Sequence, residues 1–144
     1  MPLGWYFKKG QQGDSLGYFI TKENIEEKGE FLTGLTINVI PNIPQKSGMA
    51  PSDYAASFIK AAVSEREVFK KPWLSQMGPF EGHGVVLLNR DLQKGDFITH
   101  NLAITNDQTG TIYMIIFESP ADSWNANWAI AEPMLQRFLI DDTI

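Results

Sequence analysis

Cysteine is absent from this chain of 144 residues. That excludes disulfides, thiol nucleophiles and every zinc site built on thiolates, although a cysteine-free domain is stable in reducing and oxidising surroundings alike. Histidine is scarce: His83 and His100 are the only two, and neither stands in an HExxH or two-histidine-carboxylate pattern. There is no GxSxG elbow. The glycines of GQQGD lack the lysine and the strand-to-helix setting of a phosphate-binding loop. No window approaches the roughly 20 apolar residues of a membrane-spanning helix. Positive charge is also in short supply, with 12 Lys and Arg against 17 Asp and Glu for a net charge of −5. The basic doublets Lys8-Lys9 and Lys70-Lys71 are too short for the clustered charge that displaces counterions from nucleic acid. No catalytic constellation, metal site or cofactor site is expected from these residues.

What is present builds a core. Hydrophobic content is 43% and aromatic content 12%, and a chain of this size buries roughly 70% of its unfolded surface on folding. Without an internal repeat, low-complexity tract or linker, residues 1–144 read as one domain. The start, MPLGWYFKKG, lacks the basic and apolar regions of a secretory signal. A bare Met-Pro-Leu before Gly4 reads as readily as a trimmed start, so cytoplasmic and extracytoplasmic placements both stay open.

Aromatic runs at Trp5–Phe7 and Leu16–Ile20 flank GQQGD and predict a hairpin. Residues 21–30 read as a loop or one helical turn. Phe31–Ile40 alternates at period two and predicts a strand ended by Pro41 and Pro44. Pro51 and Asp53 suit the first turn of a helix over 51 to about 68, with Tyr54, Phe58, Ala61 and Ala62 on one face. Three runs follow, His83–Asn89, Phe97–Thr105 and Thr111–Glu118, joined by turn-forming connectors that make them consecutive and antiparallel. The last is apolar on both faces and demands cover on both. Ser119-Pro120-Ala121-Asp122 predicts a capped helix carrying Trp124, Trp128, Ala131, Leu135 and Phe138 or Leu139 on one face, with Pro133 inside it as a kink. Together these elements predict an α+β fold, a three-layer α/β/α sandwich around a largely antiparallel central sheet.

Individual residues argue mostly for structure. His100 alternates with Ile98, Leu102 and Ile104 and reads as a core histidine, and His83 lacks companions for a metal. Glu26-Glu27 and Asp141-Asp142 read as solvated charges. The stretch from Lys70 to Gly82, KKPWLSQMGPFEG, predicts a long connection whose Trp73, Leu74, Met77 and Phe80 either plug the core edge or stay exposed as a recognition patch or pocket lid.

The segments FLTGLTINVI, MAPSDYAASFI, TNDQTGTIYMIIFESP and WNANWAIAEPML together resemble the PsbP-like superfamily, closest to its uncharacterised bacterial members. That family includes the extrinsic protein of photosystem II and a nuclear-import factor that binds the Ran GTPase. The resemblance implies an α/β/α sandwich and a non-enzymatic protein-binding or assembly-accessory role, but none of the matched positions is a catalytic or ligand residue. A partner protein, met through Trp73, Met77 and Phe80, is therefore the first expectation. The alternative is a small-molecule site between sheet and helices, binding or enzymatic, using His83 or His100 beside a carboxylate.

Overall fold

The computed structural model of the protein describes residues 2–137. Phe138, Leu139, Asp141 and Asp142 lie outside the described residues. Seven strands form one antiparallel sheet: β1 (Tyr6–Gln12), β2 (Ser15–Thr21), β3 (Gly34–Ile40), β4 (Glu67–Met77), β5 (Phe80–Asn89), β6 (Phe97–Asn106) and β7 (Thr111–Pro120). Their spatial order is β1-β2-β3-β7-β6-β5-β4, which puts β7 at the centre and β1 and β4 at the edges. The helices are α1 (Ile25–Lys28), α2 (Ile43–Ser47), α3 (Pro51–Glu65) and α4 (Trp124–Gln136). The fold is α+β with an antiparallel sheet.

Successive side chains on a strand point to opposite sides of a sheet, and β7 uses both. Tyr113, Ile115 and Phe117 cluster with Trp124 and Ala131 of α4. Ile112 and Met114 cluster instead with Ile43 of α2 and Ala55 of α3. The expected burial of this segment is therefore observed. Farther out, Ile59 and Ala62 of α3 cover Val85 and Leu87 of β5.

The N-terminal hairpin is also as expected. Gly13 turns it at φ +60°, the left-handed value that the first position of a two-residue hairpin loop demands of glycine. Other details differ. The predicted long connection over residues 70–82 is a second tight hairpin: β4 runs to Met77, Gly78 turns at φ +60° and β5 begins at Phe80. Pro72 was a poor guide to a loop, because an edge strand tolerates a missing N–H. Register shifts between Val68 and Lys70 and between Lys70 and Trp73 also blur the alternation.

Helix α3 ends at Glu65, and Val68 belongs to β4. Its buried face is Pro51, Ala55, Ile59 and Ala62, whereas Tyr54 and Ala61 are exposed. The face is rotated by about one residue, which leaves the Tyr54 phenol wetted. Ala55 and Ala103 share a cluster beneath it.

Ser119 does not cap α4. Strand β7 continues through Pro120, a 3-10 turn spans Ala121–Ser123, and α4 begins at Trp124 with no side-chain cap bond. Pro133 does lie inside α4. What fixes the entry to this helix is buried Asn127. Its Nδ2 donates to Ser119 Oγ at 2.9 Å and to Ser123 Oγ at 3.3 Å, and approaches Thr33 Oγ1 at 3.5 Å. One amide thus ties α4 to β7 and to the residue preceding β3. Replacing Asn127 with Ala should cost about 1–3 kcal/mol, because Ser119 and Thr33 stay buried with a partner lost. Urea unfolding measures this, and a loss under about 0.5 kcal/mol would show that the amide does not organise the helix entry.

Candidate functional site

The sheet face that carries α4 extends past that helix toward β4, and aromatic rings fill the gap. His100 of β6 pairs across the ladder with Val86 and Phe117. Its imidazole stacks on Trp128 of α4 at 4.5 Å between centroids and 25° between planes. Trp73 of β4 closes the other side at 5.3 Å and 52°. Trp128 in turn stacks on Trp124 at 5.4 Å and 9°, and both indoles touch Phe117. Lys70 Nζ lies 4.7 Å above the Trp73 ring.

Trp73 can fold inward because the residue opposite it is Gly84. A Cβ at position 84 would collide with Cε2 and Cζ2 of that indole. Here the glycine is required for close approach, its φ being ordinary. Gly84→Ala should therefore destabilise the fold by about 1–3 kcal/mol. Combined with Trp73→Ala, the alanine at 84 should cost clearly less, a non-additivity that denaturation of the four proteins measures directly. Additive losses would remove Trp73 from this account.

His100 is 9% exposed, and its Nδ1 has no hydrogen-bond partner. Burial, with a smaller contribution from the Lys70 charge, lowers its pKa from 6.5 to about 4. A neutral imidazole packed between indoles is a wall of the core, as the alternation of β6 predicts. The linkage has a definite sign. Above pH 7 the ring is neutral in both folded and unfolded chains, so it adds no pH dependence. As pH falls below 6.5 the unfolded chain takes up the proton first, and stability drains away until about pH 4. The full loss is about 3 kcal/mol, at 1.36 kcal/mol per pKa unit. A His100→Phe protein should lack this component, so the stability difference between the two should narrow or invert between pH 7 and 4 by up to that amount. Parallel stability curves would contradict the burial of the ring.

His83 faces the other way. It pairs with Ala103 and Leu74, three residues from Val86 and so on the α3 side of β5. Its Nε2 lies 2.8 Å from Glu81 Oε1 but off the N–H axis, so no aligned hydrogen bond forms. The two histidines therefore do not share a site. Neither lines the cleft of about 570 Å³ near Asn127, Thr33 and Lys22, nor the cleft of about 410 Å³ beside Arg90. Neither lines the cavity of about 30 Å³ beneath Phe31 and Phe97, where burial raises the pKa of Glu118. Among the described residues no group of three or more His, Asp or Glu could hold a metal ion, and no helix is long and apolar enough to cross a membrane.

The three residues expected to meet a partner are separated by the structure. Phe80 is 9% exposed and packs edge-on against Tyr113 at 6.4 Å, so it belongs to the core. Trp73 is half-buried, with its inner face committed to His100. Met77 is exposed, at 50%. Leu74 is more exposed still, at 71%, and Phe69 stands out on the same strand. These two were legible as apolar residues but not as outward ones, because the strand itself was not apparent. The candidate site is thus the regular half of an edge strand, Trp73–Met77, with two bare apolar side chains and, among the described residues, no strand paired to its outer side.

No family model and no curated protein matches the chain. Among solved structures it is similar to PA94 of Pseudomonas aeruginosa, a protein of unknown function provisionally described as a regulator. The TM-score is 0.56 at 12% sequence identity, over 98% of this chain and 85% of that one. This likeness concerns the fold alone.

Proposed function

We propose that the chain is a non-enzymatic protein-binding or assembly-accessory domain whose contact surface is the Trp73–Met77 half of β4. The observation that carries this reading is the exposure of Leu74 and Met77 on an unpaired strand. Covering a leucine side chain yields about 1.5–3 kcal/mol. An open strand edge offers a row of backbone donors and acceptors to an incoming chain. We also propose that the fold is a three-layer α/β/α sandwich of the PsbP-like kind. Supporting it is the division of β7 side chains between a cluster with α4 and a cluster with α2 and α3.

A ligand site built on the histidines has less support. His100 is sealed between indoles, His83 lies on the opposite side of the sheet, and no charged group approaches His100 as a proton acceptor would.

Trp73 and Phe80 are poor probes of the contact surface because both hold the core. Leu74→Lys with Met77→Lys is the better variant. Cross-linking in the source cell followed by affinity capture should recover a partner with the wild type and lose it with this double variant, at an unchanged thermal midpoint. Identical captures from both would remove β4 as the contact surface.

A further inference from the structure

We infer that the partner of this edge is a second copy of the same chain, paired antiparallel through Trp73–Met77 about a two-fold axis at Ser75. The inference rests on the reading of β4 as the contact surface and names its occupant.

The pattern about Ser75 is self-complementary. A two-fold axis there sets Trp73 opposite Met77 of the other copy and Leu74 opposite Gln76. Directly opposed residues of an antiparallel pair share a sheet face. Trp73 and Met77 do lie on one face, since they pair with Gly84 and Phe80 of β5, while Leu74 and Gln76 pair with His83 and Glu81 on the other. Each Met77 thioether would meet an indole, a favourable contact. The two Leu74 side chains would become diagonal neighbours, about 7–8 Å apart at the backbone and within reach of one another.

The ends of the paired stretch fit the same axis. Pro72 and Gly78 stand equally far from Ser75, so the pairing stops at a proline and a turn on both sides. Charge falls outside it. Lys71 would face Pro79 of the other copy, and the two Lys71 residues would lie eight residues apart along the pair. At about 3.4 Å per residue that is about 27 Å, well beyond the screening length at physiological salt.

The axes that would use the whole of either edge strand are disfavoured. Centring on Pro72 would use all of β4, but would oppose two prolines and lay its register shifts against each other. The other edge, β1, has Lys9 at its midpoint. A two-fold pairing there would set Lys9 against Lys9, the like-charge opposition that guards natural edges.

Five paired residues bury less than the about 800 Å² per partner of a standard interface, so the dimer is weak and concentration-dependent. Sedimentation velocity from about 10 µM to 1 mM should show wild-type mass rising toward that of two chains, 1 mM being the range of the weakest specific complexes. Leu74→Lys should stay monomeric throughout, as should Leu74→Glu, because like charges would meet on the diagonal. An equimolar mixture of the two should regain the dimer and lose it again in high salt. Unchanged circular dichroism of both variants confirms folding, which 71% exposure of Leu74 makes a safe expectation.

A wild type that remains monomeric at 1 mM overturns self-pairing, and a mixture that fails to re-associate overturns the Ser75 axis. A monomeric wild type that still captures a protein lost by the lysine double variant would overturn this inference alone. A dimer indifferent to Leu74→Lys would overturn the use of β4 as well.

Discussion

The first half of strand β7 is dry on both sides. From Thr111 to Ile115 every residue is buried, and its alternate side chains enter two different clusters. A strand of this kind cannot stand at a margin, since each apolar side chain left wet would forfeit 1.5–3 kcal/mol. The topology answers by placing three strands on each side of it. Burial stays high through β6 and β5 and collapses only at β4, where Val68 and Trp73 alone are partly covered. The lysines, the proline and the exposed apolar residues of β4 are thus the counterpart of a dry centre.

The aromatic column continues this logic sideways. Among the described residues helix α4 packs mainly on β7, and the face beyond it takes further cover from aromatic rings. Trp128 reaches from the helix to His100, and Trp73 folds back from β4 over Gly84 to meet the same ring. A histidine fits there as a flat ring that stays neutral at pH 7 once desolvated. The arrangement divides Trp73 between two duties. Its inner face holds the core shut, and its position on the strand holds the outer edge in regular register. That division explains why Leu74 and Met77, and not the tryptophan, mark the accessible surface.

The centre of the fold was legible in the sequence and its margin was not. Continuous apolarity in β7 and short turn-rich connectors each have one physical reading, and each is seen; the alternation of Phe31–Ile40 also gives a strand, but one that starts at Gly34. Strand β4 defeats that reasoning because burial, which creates alternation, hardly acts on it. Its exposed residues follow no period, and Pro72 and the register shifts mimic a loop. The glycine pair Gly82 and Gly84 was the available signal. Two glycines at period two in a strand mark a surface that something else must cover, and Ser75 and Trp73 are what cover it. The start of α4 was misplaced for a related reason. Ser119 looked like a cap from its neighbours in sequence, whereas its bond is to Asn127, eight residues on, a partner that the turn geometry alone supplies.

Fold and function part company at this point. A backbone path shared with another protein at 12% identity leaves nearly every side chain different, so the likeness transmits the sheet and not its surface. The features that argue for association belong to this chain: a regular half-strand between a proline and a turn, two bare apolar side chains, and lysines displaced to one end. Their arrangement has a physical consequence apart from any kinship. An edge guarded along its whole length would keep the protein solitary, and one left wholly open would invite uncontrolled stacking of sheets. Strand β4 is guarded from Lys70 to Pro72 and open from Trp73 to Met77, which confines an incoming strand to a short stretch. On the reading proposed above, such an edge would select its partner through the closed half as much as through the open one.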